Sequence, residues 1–152
     1  MENLESQLAY FESQLDNYET VNYAVSEGSV GWHIAHCSMV CVSILNALKA
    51  SDENTYSKKF NLKKTIVFFT KKIPRGKAKA PSAVQLKDEI NKVTITLGIA
   101  KTKEKISHLN LLSENKYFNH PFFGNLNVKN AKKFLLIHNN HHIKIIADIL
   151  KN

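Results

Sequence analysis

The stretch FLLIHNNHHIKII, residues 134–146, sets His138, His141 and His142 into an otherwise apolar run. Histidine is the side chain whose charge changes near neutral pH, and neutral imidazole is the commonest protein metal ligand. At about 100° per residue, with His138 as the zero of a helix, His142 falls at about 40°, Leu135 at about 60° and Ile145 at about −20°. Ala131 and Ile149 fall at about 20°, while Lys129, Lys133, Asn140 and Lys144 lie on the opposite side. His138 and His142 therefore sit at the centre of the apolar stripe, and His141, at about −60°, at its edge. A buried imidazole left without partners costs roughly 1–3 kcal/mol, and two neighbouring ones double the problem unless one group serves both. A divalent ion does so, because i,i+4 imidazoles converge on a point about 2.0–2.1 Å from each nitrogen. HxxxH alone fits packed or interfacial histidines as well, and both readings stay open.

A second pair, His33 and His36 in GWHIAHC, lies near the start of another apolar stretch, with His36 on the stripe of Trp32, Val40, Ser43 and Ala47. If the two helices run parallel, His36 is about two turns from its helix start and His138 and His142 about three to four turns from theirs. A modest stagger then brings them level. Three histidines from two helices, with a coordination position left open, is the pattern of a reactive metal centre and not of a closed structural one. His120, in NHPFFG, either orients the following helix or lines the rim of that site; His108 has no motif around it. There is no HExxH, no Ser-His-Asp arrangement and no glycine-rich phosphate loop. Cys37 and Cys41, one turn apart on one helix, read as buried free thiols.

The elements that must position these residues are helical in pattern. A first helix is predicted over 4–18, with Leu4, Leu8, Phe11, Leu15 and Tyr18 at 4-3-4-3 spacing. SEGS breaks it, and Ser29 caps a second helix over 30–50 that is apolar nearly all round. A basic stretch, 51–81, carries a short helix near 62–71 and then IPRGKAKAP, whose prolines and glycine exclude regular structure. A third helix is expected over 82–112, capped by Ser82, with TITLGIA helical despite its β-branched residues. SENKYFNHPFFGNLN reads as a loop, with Asn125 or Asn127 capping a last helix that runs to the C-terminus. This is an all-α expectation for a single domain, 1–152: a four-helix bundle with a long crossover between helices 2 and 3.

Apolar residues make up 43% of the 152 and charged residues 22%, which fits one globular core. No run of 18 apolar residues suggests a membrane span, and MENLESQLAYFESQL lacks the features of a signal peptide, so the expected compartment is the cytoplasm. The net charge of +8 is uneven: no acid lies between Glu53 and Asp88, where Lys58, Lys59, Lys63, Lys64, Lys71, Lys72, Arg75, Lys77 and Lys79 fall. That segment either attracts anions or is a solvated connection. Aromatic residues do not alternate with the basic ones, which argues against nucleic acid.

SVGWHIAHCSMV and HPFFGNLNVKNAKKFLLIHNNHHIKII resemble the DinB/YfiT-like metalloenzyme superfamily, and more narrowly a branch with an HPxFG loop before the last helix; PRGKAKAP resembles that branch's crossover. The resemblance implies a DinB-like four-helix bundle whose three histidines hold a divalent nickel, zinc or iron ion. Carried over, the metal ligands are His36, His138 and His142. His33 lies outside the coordination sphere, and His141 stands behind it or lines the cleft. Ile145 occupies the place where many members have glutamine. The implied activities are thiol-dependent S-transfer or hydrolysis on a small molecule, with a low-molecular-weight thiol as cosubstrate, and the implied assembly is a homodimer. Two other classes remain beside it: a non-catalytic bundle that binds an acidic partner or nucleic acid through residues 58–79, and a metal-binding interaction domain without turnover.

Overall fold

A computed structural model describes residues 3–75 and 90–151 of the chain. Among these residues five α-helices alternate with short 3-10 turns: α1 Leu4–Ser13, α2 Val30–Ala50, α3 Leu62–Thr70, α4 Lys92–Ser107 and α5 Val128–Ile149. Between α4 and α5 lies an antiparallel hairpin, β1 Tyr117–His120 and β2 Gly124–Asn127. The all-α four-helix bundle expected from the sequence is therefore corrected to a mixed fold of five helices and a two-stranded sheet.

The correction has a local cause. Within the stretch read as a loop, Phe118 and Leu126 are cross-strand partners and both are buried, so four-residue strands suffice to set an apolar face on the core. Pro121, Phe122 and Phe123 make the connection, and Gly124 takes φ +68 at its end, a left-handed conformation that suits glycine in a three-residue hairpin loop. The hairpin leads directly into α5, whose N-cap is Asn127, accepting from the Asn130 amide.

α1 ends at Ser13 and continues only as a 3-10 turn over Leu15–Asn17, shorter than the periodicity suggests. A ten-residue helix is marginal alone. Leu4, Leu8 and Phe11 are almost fully enclosed and contribute roughly 1.5–3 kcal/mol each. Gln7 adds a hydrogen bond from its Nε2 to the Leu136 carbonyl of α5. α2 begins where expected, with Ser29 Oγ accepting from the Trp32 amide. It is long and apolar enough to cross a bilayer by length and composition, yet most of that length is buried within this fold, between α4 and α5. Gly31 permits the approach of α2 to the end of the first helical region: a Cβ there would stand 2.9 Å from the Tyr18 carbonyl oxygen and from Ile95 Cδ1.

α4 starts at Lys92, ten residues later than the reading from Ser82, a residue that lies outside those described. Asn91 and Thr94 form a reciprocal capping box, so the helix is nucleated inside the periodic stretch. TITLGIA lies within α4 and is helical. The expected short helix is α3, and most of IPRGKAKAP lies outside the described residues.

α2 and α5 run antiparallel, not parallel. His33, early in α2, meets His142, late in α5. The end of α2 meets the residues that lead into β1, with the Tyr117 amide bonded to Ser51 Oγ. The levels still match, because His36 is about two turns from the start of α2 and His142 about two turns from the end of α5.

Candidate metal centre

The helix phases derived from the sequence place the histidines where the two helices face each other. His36 and His142 are buried, and His138 is half-buried with its Nδ1 enclosed. The rings of His36, His138 and His142 form a triangle, with centroids 5.3 Å apart for His36–His138, 5.0 Å for His36–His142 and 4.7 Å for His138–His142. One ring nitrogen from each lies within 4.8 Å of the others. Nitrogens bound to one ion at about 2.0–2.1 Å stand about 3.3–3.6 Å apart in tetrahedral or trigonal geometry. An ion would require the three nitrogens to draw together by up to about 1.5 Å. The donor set is three imidazoles, which suits zinc, nickel and iron.

Three observations fit these residues to a cation. His138 Nδ1 is buried and has no hydrogen-bond partner among the described residues, an arrangement that costs roughly 1–3 kcal/mol unless something else meets it. His138 and His142 are held neutral, as ligands must be. Burial, with the neighbouring His36 and His141 adding to it, pushes His138 down to about 3. Burial, then His138 and His36, lowers His142 well below the ordinary histidine value. Finally, His142 is oriented by a partner of its own, since His33 Nδ1 lies 2.9 Å from His142 Nδ1. One of the two nitrogens must donate. With His142 Nδ1–H as donor, its Nε2 lone pair is left for an ion. His33 then accepts at Nδ1 and donates from Nε2 to Ser26 Oγ, 3.0 Å away. Ser26 Oγ also accepts from the Gly28 amide. A hydrogen-bonded chain of this kind behind a ligating histidine fixes its tautomer and ring angle.

Trp32 covers the same group. Its indole stacks on His36 with centroids 5.1 Å apart and planes 5° apart, and meets His33 edge-on at 5.1 Å. It is the only tryptophan in the chain. Cobalt(II) or nickel(II) binding is therefore expected to quench the fluorescence of Trp32, saturating at one equivalent of metal per chain. An unchanged emission spectrum in protein shown to have taken up the ion would contradict this geometry.

The remaining histidines divide as follows. His33 is outside the triangle but bonded to it. His141 does not join the three; it meets His142 edge-on at 5.2 Å and lines a cleft beside Arg75 and Lys144. His120 belongs to the hairpin. It stacks on Phe123 at 4.4 Å, packs edge-on against Phe134 at 4.7 Å and accepts from the Phe122 amide at Nδ1. Burial lowers it to about 4. His120 holds the hairpin's shape, and its closest approach to the triangle is through Phe134, which packs on His138. His108 caps the exposed end of α4.

Cys37 and Cys41 are buried free thiols, as expected, and burial pushes Cys41 up to about 12. A thiol protonated to that degree is a poor ligand and a poor nucleophile. Ile145 is buried in the core. The roles of Trp32, Ser26 and Arg75 were not visible in the sequence, although Trp32 beside His33 and Ser26 in the break before α2 stood next to the motif. No family model, curated protein or solved structure matches this chain.

Proposed function

We propose that the protein is a metal-dependent enzyme whose divalent ion is held by His36, His138 and His142, acting as a thiol-dependent S-transferase or a hydrolase. The observation that carries this reading is the convergence of three imidazoles, from helices about 100 residues apart in sequence, to within 4.8 Å. Three protein ligands leave a tetrahedral ion one position for water or substrate. A divalent ion bound there would supply Lewis acidity, lowering the pKa of a coordinated water or thiol. The chain's own contribution is positioning: the Ser26–His33 pair holds His142, Trp32 holds His36, and the apolar residues of α2 and α5 exclude bulk water from one side. The narrowing to thiol transfer or hydrolysis rests on the resemblance to DinB/YfiT-like proteins carried by the same histidines.

The test is elemental analysis of protein purified without chelator, followed by calorimetric titration of stripped protein with zinc, nickel and cobalt. Roughly one ion per chain and a dissociation constant below micromolar are expected. The loaded protein is then assayed against electrophiles in the presence of low-molecular-weight thiols, and against esters and amides. Absence of any ion binding below micromolar would sink the metal reading. Stoichiometric metal without turnover on either panel would leave a metal-binding interaction domain in its place.

A further inference from the structure

Beside the triangle, on the side of His141, α5 and the segment after α3 enclose a cleft of about 240 Å³. Its polar lining is Lys71, Lys72, Arg75, Asn140, His141 and Lys144, with no carboxylate among the described residues. Arg75 is bonded at 2.8 Å to Asp148, which lies outside the lining and offsets one of the four cations. Among the described residues the other three have no acidic partner in the cleft. Like charges gathered around a concave surface repel one another, and the field they focus there favours an anion. The backbone at this place is also unusual. Lys71 ends α3 in the left-handed region, at φ 52, and is the only non-glycine residue with positive φ among those described. Helices commonly take glycine at such a position. Here the strained turn instead carries two consecutive lysines to the cleft.

The cleft adjoins the candidate metal centre. His141 is the shared wall, with its ring 5.2 Å from that of His142 and in hydrogen-bonding reach of the Ile73 backbone. Arg75 is near enough to act electrostatically on both His33 and His141.

We infer that this cleft binds an oxyanion, a carboxylate or phosphate, at one end of the substrate whose other end reaches the three histidines. The inference rests on the proposed metal site and narrows its substrate to an anionic small molecule. Lys71, Lys72 and Lys144 supply the charge, Arg75 is tethered by Asp148, and Asn140 can donate a directional hydrogen bond.

The test uses cobalt(II)-loaded full-length protein and the thiolate-to-metal absorption band, titrated with 3-mercaptopropionate and with the neutral 2-mercaptoethanol. The carboxylate-bearing thiol is expected to bind at least about tenfold more tightly, and that preference to vanish in the Lys71→Gln/Lys144→Gln double variant while cobalt content stays at one per chain. Equal affinity of the two thiols, or a preference that survives in the double variant, would overturn the inference and leave the metal site standing. If the protein takes up no cobalt, the metal proposal fails first, and the cleft is then judged in metal-free protein. Millimolar inorganic phosphate or acetate should shift the backbone amide resonances of residues 71, 72 and 141, less so in the double variant. No shift with either anion rejects the cleft as well, and a response to only one of them tells a phosphate site from a carboxylate site.

Discussion

Replacing His138 or His142 with alanine is expected to weaken zinc binding about 100- to 1,000-fold, whereas His33→Ala weakens it about 10- to 100-fold and His141→Ala hardly at all. The order follows from the positions of the rings. Apparent zinc-binding free energies of about 10–16 kcal/mol in zinc-finger sites, divided among their four ligands, give about 2.5–4 kcal/mol for each one lost. His138 and His142 are two of three donors within 4.8 Å, so removing either leaves two imidazoles and an ion open to solvent. His33 donates nothing to the ion directly. It sets the tautomer of His142 through the 2.9 Å contact between their Nδ1 atoms, and loss of such an outer partner has the smaller effect. His141 faces the basic cleft and tests whether proximity alone matters. Competition titration against a chromophoric chelator measures all four affinities on one scale. Equal affinity for wild type and the His138 variant would mean that any metal bound sits elsewhere.

How much of this was legible beforehand differs from residue to residue. The phase of α5 was readable because Ala131, Leu135, Ile145 and Ile149 mark the stripe around His138 and His142, and all four are buried. The cap Ser29 was readable, and Asn127 was one of two candidates with Asn125, because their short side chains serve helix N-termini in a known way. The hairpin was not. Each strand has four residues, one buried side chain apiece, and polar neighbours that read as loop; what stabilises it is Phe118 and Leu126 meeting a core built by distant helices. The start of α4 was misplaced because a capping box of Asn91 and Thr94 inside a helical pattern looks like ordinary helix content. The direction of α5 against α2 was also beyond the sequence. Periodicity gives the face of a helix and not its sense relative to a neighbour, so the meeting of His33 with His142 had no sequence precursor. The candidate triad stands out by residue type, spacing and a family resemblance, while the groups packed on it, Trp32 and Ser26, act through tertiary contacts that no motif encodes.

Stripped of metal, the protein is expected to lose stability steeply as pH falls from about 6.5 to about 4, far more than carboxylate titration alone would produce. Five histidines hold depressed pKa values in the fold, mainly by burial: His33 and His120 at about 4, His138 at about 3, His142 well below the ordinary value, and His141 also lowered. In the unfolded chain each titrates near 6.5. Between those limits the unfolded state binds more protons than the folded one, so the free energy of unfolding rises with pH and falls on acidification. Above about 6.5 both states are neutral and the contribution is fully present; it is exhausted only below each folded-state value. Each group adds a slope of about 1.4 kcal/mol per pH unit, so His33, His120, His138 and His142 alone approach about 5 kcal/mol per unit near pH 5. Total stabilities of about 5–15 kcal/mol do not survive much of that. Asp16 and Asp148, whose ion pairs hold them below the usual carboxylate value, give up their stabilisation only at lower pH. Urea titrations of chelator-treated protein at pH 7.5, 6.5, 5.5 and 5.0 measure the slope in protons per molecule. His120→Leu supplies an internal control: an apolar group replaces a ring packed against Phe123 and Phe134, which should remove about one proton from the slope and leave zinc affinity intact. Bound zinc adds to the acid sensitivity, because protons and the ion compete for the same imidazole lone pairs and the metal's stabilisation disappears as it is released. An unfolding midpoint that does not move between pH 7.5 and 5.0 would mean that these rings are solvated in solution, and the dry cluster between α2 and α5 would have to be abandoned.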